Sequence, residues 1–121
     1  MRRVGELEDR QLLALIGLLR LVVRLDGAAT APELAAVDAL AVEIGRERFS
    51  VLLEQSAREL QNDEDVHLVA IGVEDPDARA LIFATLFDIA AADSILAPES
   101  SLLEWLRQQW SLKPGAGPYR G

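Results

Sequence analysis

Two stretches of the chain repeat one pattern, and that repeat constrains the fold more than any other feature. The first runs Leu25-Asp26-Gly27-Ala28-Ala29-Thr30-Ala31-Pro32-Glu33, and the second Ala92-Asp93-Ser94-Ile95-Leu96-Ala97-Pro98-Glu99. Each follows an apolar helical stretch, sets an Asp at its end, crosses a short loop and enters a second helix at Pro-Glu. The apolar steps that follow also match. Val37, Leu40 and Ile44 stand after Glu33 as Leu103, Leu106 and Trp110 stand after Glu99. The first loop is one residue longer. A hairpin of two helices does not bury its greasy side alone, so the two copies are expected to pack together around an insert of two further helices.

Periodicity and punctuation predict six helices. The first spans about residues 8–25, and Leu12, Leu15, Leu19 and Val22 with their neighbours make it apolar on more than one face, as a central helix is. The second spans 31–44: Thr30 and Glu33 form a capping box, Pro32 sits in the first turn and Gly45 stops it. The third covers about 47–61. The fourth, about 65–72, opens at Asn62-Asp63-Glu64-Asp65, but its Val66, Leu68, Val69, Ile71 and Val73 also read as strand. Asp75-Pro76-Asp77 starts the fifth, which runs to about 92, and Pro98-Glu99 starts the sixth, which ends near Trp110. The expectation is an all-α fold, a compact orthogonal bundle of about six helices in one domain over residues 8–112. Residues 1–7 and the Pro- and Gly-rich 113–121 are expected to be flexible ends.

Composition supports this and excludes several functions. Half of the 121 residues are hydrophobic, and few are aromatic, so the apolar content is mainly helix-favouring Leu and Ala. The formal charge of −8 argues against nucleic acid and against anionic lipid, both of which need clustered cations. With no cysteine, thiolate chemistry and disulfides are absent. The start carries acids where a secretory signal has an apolar core, and the greasiest run, Leu12 to Leu19, is far shorter than the ~20 residues of a membrane span. The expected setting is cytoplasmic, with any membrane association peripheral and through partners.

On these residues the chain resembles the TerB-like (tellurite-resistance) family. The resemblance covers about residues 12–112 and is carried by Asp26-Gly27, Thr30 and Pro32-Glu33, then by Asp93, Ile95 and Pro98-Glu99. Ser94 stands where the second copy would have Gly, Ala97 where it would have Ser or Thr, and Ala29 is small for the apolar position of its loop. The resemblance implies an all-helical domain in a bacterial stress-response or membrane-associated complex, and no established enzymatic activity.

Three constellations are candidates for function. At about 100° per residue, Glu33 falls in line with Val37, Leu40 and Ile44, and Glu99 with Leu103, Leu106 and Trp110. Each copy therefore sets a carboxylate on its inward stripe near a loop Asp. Local duty is the expectation, with Asp26 and Asp93 in Asx-turns and Glu33 and Glu99 on helix N-terminal donors. The alternative is a divalent-cation site, or two, from Asp26/Glu33 and Asp93/Glu99. Asp63 and His67, four residues apart, offer a weaker metal pair. On the sixth helix, Trp105 lies about 200° from Leu103, with Leu102 and Leu112 beside it. It serves either as a second packed face or as an anchor for a protein partner or a second copy.

Catalysis has little to draw on, because the serines lack a nucleophile elbow, the only histidine is His67, and no Gly-rich phosphate loop occurs. The reading is a non-enzymatic TerB-like helical module acting as a protein-interaction or accessory subunit in a tellurite-resistance-like stress response. The alternative is a divalent-cation-binding or sensing domain using the duplicated acidic loops.

Overall fold

The computed structural model describes residues 3–25, 30–92 and 97–110, with residues 23–25 and 97–100 described by their backbone alone. These residues form a 3-10 turn, Val4–Glu6, and six helices: α1 Asp9–Leu25, α2 Ala31–Ile44, α3 Arg46–Glu59, α4 Asp63–Ile71, α5 Pro76–Ala90 and α6 Ala97–Gln109. No strand occurs among them, so the all-α expectation holds, with helix ends within about two residues of the sequence reading. No described helix is long and apolar enough to cross a membrane. The corners at 26–29 and 93–96 lie outside the described residues, as do Leu112 and the expected tail at 113–121.

The helix that is apolar all round takes the centre. Leu12, Leu15, Ile16, Leu18 and Val22 of α1 are wholly buried, and α1 packs against α3, α4, α5 and α6. Each such side chain contributes about 1.5–3 kcal/mol on leaving water. Helices of the two repeated stretches pack on one another: α5 packs on both α1 and α2, and α6 packs on α1.

Local chemistry sets the helix ends. At α2, Thr30 Oγ1 accepts from the Glu33 N–H at 3.3 Å, while Glu33 Oε1 accepts from the Thr30 N–H at 2.9 Å. Gly45 alone links α2 to α3. Its φ of 107° and ψ of 120° suit only glycine, whose missing Cβ frees it from the usual steric limit. Gly45→Ala is expected to destabilise the fold by about 1–3 kcal/mol, read from the urea midpoint. The helix–strand ambiguity at α4 is resolved toward helix. Asn62 Oδ1 accepts from the Asp65 N–H at 2.9 Å, and three acids in the first turn complement the helix dipole. At α5, Asp75 caps and Pro76 leads.

Residues 3–7 correct the sequence reading. Expected to be flexible, they are instead packed down, with Val4 and Leu7 buried in the core. Arg48 of α3 donates to the carbonyls of Gly5 and Leu7, each at 2.9 Å. Gly5 runs so close to α2 that a Cβ there would stand 2.8 Å from the Glu43 carbonyl oxygen. The short segment has no helical period, so its apolar side chains carry no signal of their own. A guanidinium some forty residues away holds it.

Candidate functional site

Of the four repeated carboxylates, Asp26 and Asp93 lie outside the described residues, and so does the Glu99 side chain. Glu33 is described and is only 1% exposed. It shares its inward stripe with Leu40 and Ile44, both buried, and with partly buried Val37, as the helical spacing predicts. Glu33 Oε1 accepts from both the N–H and the hydroxyl of Thr30, at 2.9 and 3.0 Å. These bonds fix where α2 begins. A charge-assisted pair of this kind offsets part of the cost of burying a carboxylate.

Asp63 and His67 share α4, but the His67 ring stacks on Trp105 of α6, with centroids 4.3 Å apart and planes at 30°. Among the described residues, no group of three or more His, Cys, Asp or Glu side chains is placed to hold a metal ion.

The proposed face of α6 also needs correction. Leu102 is 7% exposed and belongs to the core. It stands four residues before Leu106, hence on the same inward arc. Trp105 lies about 100° from Leu106, at the edge of that arc, and is half-buried between the core and His67.

Two other surfaces emerge, neither of which the sequence reading identified. The first is the outer side of α2. Ala31, Leu34, Ala35, Ala39 and Val42 are all exposed, with Leu34 and Val42 each at 57%. Amid them Asp38 accepts from both terminal nitrogens of Arg46, at 2.9 and 3.2 Å. The signal was present: Leu34 and Val42 fall off the Val37–Leu40–Ile44 stripe, so α2 is apolar on two faces and can bury only one. The second is a cleft of about 790 Å³ between the start of α1, the end of α3, α4 and the turn into α5. A smaller cleft of about 300 Å³ lies beside Gly17, Arg20 and Leu60. There Arg20 donates to the Ser56 hydroxyl at 3.2 Å and reaches the Leu60 carbonyl at 3.5 Å.

Two surface ion pairs shift the proton affinity of their members. The Arg107 guanidinium, hydrogen-bonded to Glu104, holds that carboxyl below its usual range. Asp38 raises Arg46 in the same way. Such exposed pairs mark no reactive centre.

No protein-family model matches the chain, and neither a curated protein nor a solved structure matches it significantly.

Proposed function

We propose that the protein is a non-enzymatic helical module, TerB-like in build, that works by holding a protein partner or a second copy of itself in a stress-response assembly. One observation carries this reading: Leu34, Ala35, Ala39 and Val42 face solvent on successive turns of α2, around the Asp38–Arg46 pair. Scattered exposed apolar side chains are ordinary, but a contiguous row on one helix marks a surface that another protein covers. The small alanines let a second helix approach closely, while Leu34 and Val42 supply the large contacts. The Asp38–Arg46 pair keeps the row free of net charge.

The test is the double variant L34E/V42E. Both positions are exposed, so the melting temperature is expected to stay within a few degrees of the wild type. Sedimentation velocity, together with affinity capture from the native source, should show any complex weakened about tenfold or more. A wild-type chain that stays monomeric and captures the same proteins as L34E/V42E overturns the proposal.

A further inference from the structure

We propose that the cleft between α1, α3 and α4 docks a basic segment of a partner protein, one that sets a large apolar side chain between lysines or arginines. The inference rests on the reading of the chain as a partner-binding module, and adds to it a second place and its chemistry.

The cleft has a volume of about 790 Å³ and lies open to solvent along one side, as a groove for a chain segment does. Leu13, Leu68, Val69 and Val73 give it an apolar floor, most of it from Leu68 at 60% exposed, with Gln11 and Gln55 beside them. Its rim is acidic. Glu8 precedes α1, Glu59 ends α3, and Glu74 and Asp75 form the turn between α4 and α5. Arg10 is the one cation among the lining residues. Among the described residues, no ion pair engages Glu8, Glu59 or Glu74. Their charge is therefore left to solvent or to a ligand.

Three separate pieces of chain thus bring four carboxylates around one greasy floor. Like charges gathered at a concave surface focus the potential and draw cations in. The floor demands more than a cation. A simple polyamine would leave Leu68 and its neighbours wet, whereas a purely apolar ligand would strip water from the carboxylates with nothing in return. A peptide carrying both kinds of group answers both. Nucleic acid and anionic membranes, being negative, are repelled.

The experiment is fluorescence anisotropy of a fluorescein-labelled amphipathic lysine–leucine peptide titrated with the full chain at physiological salt. E59K/E74K reverses two rim charges. E43K/E47K makes the same change in net charge away from the cleft and controls for long-range attraction. Binding is expected to weaken about tenfold in E59K/E74K and to stay within about twofold in E43K/E47K. Leu68→Ser, which leaves every charge in place, should weaken it several-fold and so keeps the test decisive should E59K/E74K fail to fold. Equal loss in both charge variants, no binding to the wild type, or displacement of the peptide by spermine at equal concentration overturns the proposal. L34E/V42E separates the two readings. It is expected to bind the peptide like the wild type, even where it has lost its other partners. If it loses the peptide, the peptide sits on α2 and the cleft assignment fails.

Discussion

Trp110→Ala is expected to lower the free energy of unfolding by about 3–5 kcal/mol, the largest loss from any single substitution proposed for this chain. Trp110 follows α6 directly, and its N–H bonds back to the Leu106 carbonyl at 2.9 Å. Its ring is 3% exposed, and its Nε1–H donates to the Ala70 carbonyl of α4 at 2.9 Å. Alanine would remove both the ring, leaving a cavity, and the bond that ties the end of α6 to α4. The cavity dominates. The Ala70 carbonyl also accepts from the Val73 N–H at 3.1 Å, so the lost indole bond accounts for only about 1 kcal/mol. Trp110→Phe, which refills most of the space, should therefore recover more than half of the loss. Urea denaturation at constant m-value is the measurement. A cost under about 1 kcal/mol for Trp110→Ala would show that this contact does not support the fold.

Arg48→Met is expected to cost about 2–4 kcal/mol, with the damage confined largely to residues 3–9. Arg48 makes two kinds of bond, of unequal worth. Its contact with Asp9, 2.7 Å long, is a surface pair with Asp9 74% exposed. Such a pair is worth at most about 1 kcal/mol. Its bonds to the carbonyls of Gly5 and Leu7 satisfy partly buried acceptors with a charged donor, and those carry the cost. Asp9→Asn should thus be nearly silent. Arg48→Lys should rescue less than half, because a single ammonium does not reproduce a planar fork reaching two carbonyls. Hydrogen exchange of the Glu6 and Leu7 amides, which close the 3-10 turn onto Arg3 and Val4, reads the loosening directly. Unchanged exchange in Arg48→Met would show that Val4 and Leu7 hold the segment by packing alone.

Much of the helical frame was legible because it is written locally. Thr30 and Glu33 announce the start of α2, Asn62 and its acids that of α4, and Asp75-Pro76 that of α5. Each works through bonds to backbone only a few residues away. The burial of Glu33, Leu40 and Ile44 follows from spacing, since a helix returns to the same face every three or four residues.

The misread residues had competing signals that local pattern does not rank. Leu102 stands between Leu106 and Trp105 around the helix, about 40° from the one and about 60° from the other, and the packing of α6 on α1 and α5 puts it on the inner side. Leu34 and Val42 carried the opposite signal. Their spacing marked a second apolar face of α2, but the bundle leaves that face uncovered.

By itself the sequence determined that the chain forms helices, where most of them begin, and that α1 is the one buried all round, because caps, periodicity and apolar content act within a few residues. Only the tertiary structure decided that Arg48 pins residues 3–7, that α2 keeps an apolar face in solvent, and that Glu8, Glu59 and Glu74 surround one cleft. These depend on groups far apart in the chain, and chain separation does not reveal which of them the packing of the core brings together.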